Sequence, residues 1–147
     1  MHERRYWIGV VAQDHVETAV AQGFVQLNYG RAAPLARMQP GDGLAFYSPR
    51  AHFPDGAPLQ AFTAIGCVGD GPIVEVPPEQ PPPVFRRSAC WLDATPAPIR
   101  PLLPDLSFIR DKEHWGAAFR FGVVRVPRED FVAIAAAMGR DPGIDFA

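Results

Sequence analysis

The stretches PGDGLAFYSPR, residues 40–50, and LQAFTAIGCVGDG, residues 59–71, decide what kind of fold this chain can adopt. Pro40 and Gly41 fix a turn, and the apolar run behind them reads as a strand. The second run reads as a long strand that should pair with the first. Between them lies RAHFPDGAP, residues 50–58, which is too long for a tight hairpin and is expected to project.

Working outward toward the N-terminus, RYWIGVV, residues 5–11, alternates as a first strand. Tyr6, Ile8 and Val10 share one face and Trp7, Gly9 and Val11 the other. DHVETAVAQG predicts a short helix with Asp14 as N-cap, Glu17 completing a capping box, and Gly23 as the stop. FVQLN predicts a short strand. RAAPLARM predicts another short helix, with Pro34 tolerable in its first turn.

Toward the C-terminus, IVEV and VFRRSACWL predict a further strand pair. The proline-rich PPEQPPP between them lacks backbone donors and is expected outside the sheet as a stiff connector. AFRFGVVRV, residues 118–126, alternates as the last strand, which places Phe119 and Phe121 on one inward face. REDFVAIAAAMG predicts a closing helix with Phe131, Ile134 and Met138 on one side and Gly139 at its end. Six or seven short strands with three or four short helices make an α+β domain whose sheet is mostly antiparallel and able to close into a barrel, although the pattern does not separate a barrel from a sandwich.

The totals agree with one globular domain spanning residues 1–147. No apolar run approaches the length of a membrane span, and the N-terminus lacks a signal-peptide pattern, so a cytoplasmic protein is expected. Cys67 and Cys90 match neither a metal motif nor a disulfide framework and are expected as buried thiols. The histidines fall at no metal-ligand spacing, so no metal is expected. No phosphate loop, nucleophile elbow or other cofactor motif occurs. The net charge of −2 is uneven: residues 86–128 carry +4, and thirteen of the fourteen basic side chains are Arg. Arginine suits planar contacts to phosphate.

The basic excess surrounds LSFIRDKEHWGAAFRFG, residues 106–122, where three Phe, one Trp and five charged side chains share one segment. Together with YWIGVV and MQPGDGLAFYSPR, in this order and spacing, the segment resembles EVE domains. These belong to the PUA-like superfamily, are related to YTH domains, and include a bacterial stand-alone subgroup to which the whole chain is similar. The resemblance implies a pseudo-β-barrel of five to six mostly antiparallel strands flanked by three or four short helices. It also implies a pocket that accepts a modified nucleobase, such as a methylated one, from DNA or RNA.

A base taken from its stack must recover a few kcal/mol, and an aromatic platform returns about 1–3 kcal/mol per base. One buried methyl adds only about 0.8 kcal/mol. Sharper selectivity therefore needs fixed donors and acceptors beside aromatic walls. On that ground the candidate ligand contacts are Trp7, with room beside it at Gly9; the amides of Gln26 and Asn28, on one side of their strand; Tyr47 and Ser48 at the end of the central strand; and Trp115 and Phe121. Arg50 and Arg120 are the phosphate candidates, with His52 beside Arg50. Trp7, Tyr47 and Trp115 would have to converge around one cavity. The expected partner is a modified nucleotide, or single-stranded or flipped-base nucleic acid, bound by a monomer without catalysis.

Two alternatives stand beside this reading. ASCH domains share the PUA-like fold, and some resemble nucleoside amidohydrolases or nucleases that use a Lys. Here the sole lysine, Lys112, sits in the charged turn IRDKEHW, which does not look dry enough to make it a base or nucleophile. A protein-interaction role would work through PPEQPPP.

Overall fold

The computed structural model describes residues 3–77 and 81–145. One sheet carries strands β1 (Tyr6–Val10), β2 (Phe24–Val25), β3 (Gly43–Arg50), β4 (Pro58–Val68), β5 (Val74–Val76), β6 (Val84–Trp91), β7 (Ala97–Pro98) and β8 (Val123–Val126). Its main path runs β2-β6-β4-β3-β1-β8, with β5 paired to β6 and β7 to β4. All pairs are antiparallel except β1 with β3. That parallel pair needs a crossover, supplied by the segment holding α1 (Gln13–Gln22) and α2 (Ala32–Ala36). The chain closes with α3 (Arg128–Ala137) and α4 (Pro142–Asp145).

The expected β3–β4 pairing is present, from Gly43 opposite Cys67 to Arg50 opposite Pro58. Its register shifts between Phe46 and Tyr47 and between Ser48 and Arg50. Each shift gives β4 one extra residue, and a bulge of this kind bends its strand and strengthens the twist. Gln60, in the second bulge, has φ 54. The two bulges curl the sheet into a half-barrel. At the open seam the Asn28 side-chain amide donates to the Phe121 carbonyl at 3.3 Å, linking the turn after β2 to the turn before β8.

Both faces of the curled sheet are covered. Tyr6, Ile8, Tyr47, Phe62 and Ile65 pack with Phe131 and Ile134 of α3 and with Met138, its C-cap, in one core. Trp7, Leu44, Phe46 and Val68 pack with Val16 and Ala19 of α1 and Leu35 of α2 in the other. The alternation of β1 is therefore real, but each of its faces meets protein. Phe46, Phe62 and Phe131 are fully buried, each contributing about 1.5–3 kcal/mol of transfer free energy.

Several expectations are corrected. Helix α1 begins two residues earlier than Asp14 as N-cap suggests: Ala12 is its N-cap, without a side-chain cap bond. Asp14 lies in the first turn, where its charge still complements the helix dipole; Gly23 ends the helix with φ 74 as expected. The strand over FVQLN stops at Val25. Asn28, Tyr29 and Gly30 follow with φ of 49, 60 and 84, a left-handed turn that no strand can contain. The final strand begins only at Val123, because residues 115–119 form a 3-10 turn and Gly122 has φ 82. Phe119 is consequently buried while Phe121 is 73 % exposed. Cys90 is exposed rather than buried. The PPEQPPP connector falls partly outside the described residues. Among those that are described, no helix is long and apolar enough to cross a membrane.

Candidate functional site

At one rim of the half-barrel, five chain segments enclose a cleft of about 720 Å³. They are the end of β1, the start of α1, the turn after β2, the end of β3 with the loop beyond it, and the turn before β8. Sites for small molecules occupy a similar range of volume, about 300–1,000 Å³. The segments are bound to one another through the backbone. Val11 N–H donates to the Tyr47 carbonyl at 3.0 Å, Asp14 N–H to Ala51 at 3.0 Å, and Val10 N–H to Gly122 at 2.8 Å.

Three rings stand out from this rim: Tyr29 at 82 % exposure, Phe121 at 73 % and Phe53 at 69 %. Tyr29 and Phe53 meet edge to face, with centroids 6.1 Å apart. Tyr29 is carried on the left-handed turn (φ 60, ψ 29). Such a conformation costs a side-chain-bearing residue about 1–2 kcal/mol. Strain of this kind is held by neighbouring contacts and clusters at working sites. Here the holding contacts are the Asn28–Phe121 bond and Gly30 N–H to Leu27 at 2.9 Å. Gly122 makes room for the first: a Cβ there would lie 1.9 Å from Asn28 Oδ1.

Positive charge surrounds the rings. Arg31, Arg50 and Arg120 line the cleft, and all are exposed. The Arg120 guanidinium lies 4.8 Å from the Phe121 ring centroid. Arg50 donates one N–H to the Gly56 carbonyl at 3.0 Å, and its other donors have no hydrogen bond to another of the described residues. Half-buried Gln26 and His15 add to the polar lining, as does exposed Asp14, whose carboxylate offsets part of the positive charge. The Gln26 carbonyl accepts from Arg86 Nε at 2.8 Å. His15 packs edge-on to Phe24 at 6.0 Å. Burial, and next the Arg86 charge, hold its imidazole below the ordinary pKa, while Asp14 pulls the other way. Its Nε2 is buried without a hydrogen-bond partner among the described residues.

Five of the sequence candidates meet in this cleft: Gln26, Asn28, Arg50, Arg120 and Phe121. The other five stand elsewhere. Trp7 is 4 % exposed in the helix-covered core, and its indole N–H donates to Asp42 Oδ2 at 3.0 Å. The space beside Gly9 is filled by the protein itself, since a Cβ there would lie 2.4 Å from Leu27 Cδ2. Tyr47 is stacked on Phe119 at 4.4 Å in the opposite core. Burial pushes its phenol pKa up to about 12, against an opposing pull from Arg100. Ser48 is fully buried and shares a 2.7 Å hydrogen bond with Thr63. Trp115 is half-buried, edge-on to Tyr47 at 6.3 Å, with the Arg100 guanidinium 5.5 Å from its ring.

The three-ring cage of Trp7, Tyr47 and Trp115 is therefore not formed. Trp7 lies across the sheet from the other two, and Phe119 occupies the stacking face of Tyr47. Sequence reasoning missed Tyr29, Phe53, Arg31 and His15. Two of these had a signal: NYG and HFPDG each set an aromatic residue among turn formers, which turns a ring outward.

The charged half of the 106–122 segment is structural. Asp111 accepts from the backbone of Glu113 and His114, each at 3.1 Å. Lys112 is exposed, and its ammonium donates to the Leu106 carbonyl. Buried Asp130 of α3 fixes the same segment through Ser107 Oγ at 2.9 Å and Phe108 N–H at 2.8 Å.

A family model described as EVE domain matches residues 5–137. A UPF0310 protein of Mycolicibacterium vanbaalenii is 50 % identical over 134 residues, covering 90 % of this chain and 91 % of its own. One from Mycobacterium avium is 47 % identical over 134 residues, covering 90 % and 96 %. One from Bacillus subtilis is 42 % identical over 137 residues, covering 91 % and 92 %. In fold, the chain is similar to a crystal structure from Agrobacterium tumefaciens with a TM-score of 0.54 at 16 % identity, covering 92 % of this chain and 94 % of that one.

Proposed function

Because this chain belongs to the EVE domain family, we propose that it is a non-enzymatic binding module. Its cleft takes a nucleobase, including a modified one, from a nucleotide or from single-stranded or flipped-base nucleic acid. The observation that carries this reading is the ring of Tyr29, Phe53 and Phe121, exposed together among Arg31, Arg50 and Arg120. Exposed rings offer every base a stacking face, and guanidinium groups beside them meet the backbone phosphates. Gln26 and Asn28 supply polar discrimination, because burial of a methyl alone, about 0.8 kcal/mol, gives roughly fourfold.

The test is fluorescence anisotropy with short labelled single-stranded DNA and RNA carrying one modified or unmodified base. Micromolar binding is expected. Phe121→Ala should remove a stacking contact of about 1–3 kcal/mol, roughly 5- to 150-fold in Kd. Because Phe121 is 73 % exposed, the fold should keep its stability. Three phosphate contacts would give a slope of log K against log salt of about −2. Unchanged binding in both Phe121→Ala and Tyr29→Ala would remove the cleft from consideration.

A further inference from the structure

Arg86 is not among the cleft-lining residues; it lies directly behind them. It projects from β6, and its guanidinium stands 4.0 Å from the Phe24 ring centroid. From there Nε donates to Gln26 Oε1 at 2.8 Å. An arginine has only donors, whereas a glutamine amide has an accepting oxygen and a donating NH2. The partner of Arg86 must therefore be the Gln26 oxygen, and the NH2 faces the other way. Asn28 is fixed in the complementary sense. Its NH2 is spent on the Phe121 carbonyl, which leaves its oxygen over Gly122 as the free acceptor.

Resting on the cleft reading above, we infer that Arg86 is a positioning residue that sets base selectivity by locking the Gln26 amide with its donor toward the ligand. The favoured base presents an acceptor, a ring nitrogen or an exocyclic carbonyl, at Gln26. A base that presents an N–H there leaves two donors facing each other. Without Arg86 the amide can turn end for end and serve either edge, so binding persists while discrimination is lost. Phe24 contributes by holding the guanidinium plane, and its ring is shared with His15 on the neighbouring helix.

The experiment compares wild type, Arg86→Met, Arg86→Lys, Gln26→Glu, Phe121→Ala and Tyr29→Ala. The probes are short single-stranded DNAs that differ only in one central base, and the readout is the spread of Kd among them. Arg86→Met keeps an apolar stem over Phe24 and lacks any N–H. It should shrink the spread by about tenfold, the scale of one misplaced hydrogen-bonding group, while the tightest Kd moves much less. Arg86→Lys should restore part of the spread. Gln26→Glu keeps the shape but replaces the donor by an oxygen, so the preferred base should weaken by about tenfold. Gln26→Glu also decides the matter should Arg86→Met fail to fold.

A wild-type ranking preserved in Arg86→Met, or a preferred base unaffected by Gln26→Glu, overturns the positioning role while leaving the cleft in place. Binding that survives Phe121→Ala and Tyr29→Ala unchanged overturns the cleft reading, and this inference with it.

Discussion

Replacing Asp42 by Ala should cost the protein much of its stability without altering its cleft. Asp42 is 1 % exposed and is the hub of the PGDG turn. Its Oδ1 accepts from Arg5 N–H at 3.1 Å, and its Oδ2 accepts from Gln39 N–H at 2.9 Å and the Trp7 indole at 3.0 Å. A hydrogen bond to a charged group contributes about 1.5–3 kcal/mol, so these three together reach roughly 4.5–9 kcal/mol before access of water is counted. Arg5 is half-buried and Gln39 exposed, so water can reach their amides; the indole N–H lies in the core. The expected loss is therefore about 3–4 kcal/mol, a large part of the ~5–15 kcal/mol that holds a typical domain. At ~2–4 °C per kcal/mol, the fall in Tm is roughly 6–16 °C. Trp7→Phe removes only one donor and should cost about 1–2 kcal/mol. Urea unfolding followed by circular dichroism measures both variants, and the same proteins are then assayed for oligonucleotide binding. Asp42→Ala losing less than about 1 kcal/mol would refute the hub argument, since even one orphaned buried donor costs that much. Trp7→Phe weakening binding at unchanged stability would make Trp7 a ligand wall after all.

Tyr29→Gly should separate stability from binding in the opposite direction. It relieves about 1–2 kcal/mol of left-handed strain against roughly 0.5–1 kcal/mol of glycine entropy. The urea midpoint should hold or rise while binding weakens, and a clear loss of stability would contradict the strain argument. His15, flanked by Arg86 and Asp14, has a folded-state pKa below its unfolded value of 6.5. The unfolded chain therefore binds the extra proton first on acidification. This part of the stability is complete above about pH 6.5 and declines as pH falls toward the folded pKa. Unfolding measured from pH 7 to pH 5 should show that decline, and His15→Gln should flatten it; an equal slope in the variant refutes the assignment. Asp130→Ala leaves Ser107 Oγ and Phe108 N–H without their acceptor. Hydrogen exchange should accelerate at Phe108 ahead of the β3–β4 ladder, with a stability loss of about 2–4 kcal/mol. Uniform acceleration across the protein would deny the segment a separate anchor.

Much of the sheet was legible because its strands carry strong local signals. The β3–β4 pairing follows from two apolar runs and a fixed turn before the first. What period alone could not show was the curl, which depends on single extra residues in β4. Thr63 and Gln60 have no composition that marks a bulge. The alternation at Phe119 and Phe121 misled for a related reason. A period of two over three residues does not distinguish a strand from a 3-10 turn ending at a positive-φ glycine, and only the latter sends Phe121 into solvent. Helix α1 was displaced by the same limit, since Ala12 caps it through backbone geometry alone and leaves no side-chain signature.

Of the residues that line the cleft, the sequence pointed to Gln26, Asn28, Arg50, Arg120 and Phe121, whereas Trp7, Tyr47 and Trp115 pack elsewhere, and one physical cause accounts for the misplaced rings. A sheet covered on two faces offers its strand aromatics to packing whichever way they point. The less bulky face of β1 therefore signalled a second core, where Leu27 fills the notch at Gly9 and Asp42 takes the Trp7 indole. Rings left for a ligand must instead be carried where the backbone cannot turn them inward. Tyr29, Phe53 and Phe121 all sit on turns, and Tyr29 is held there in a conformation that costs about 1–2 kcal/mol. Its exposed ring brings no offsetting gain, because apolar surface left in water is no better off than in the unfolded chain. The strain is not returned by any core contact of that side chain, which is 82 % exposed and meets Phe53 at its edge. A fold selected for stability alone would place glycine at this position. On the proposed base-binding function, a stacked ligand supplies the missing contact, and the left-handed turn keeps the ring open for it.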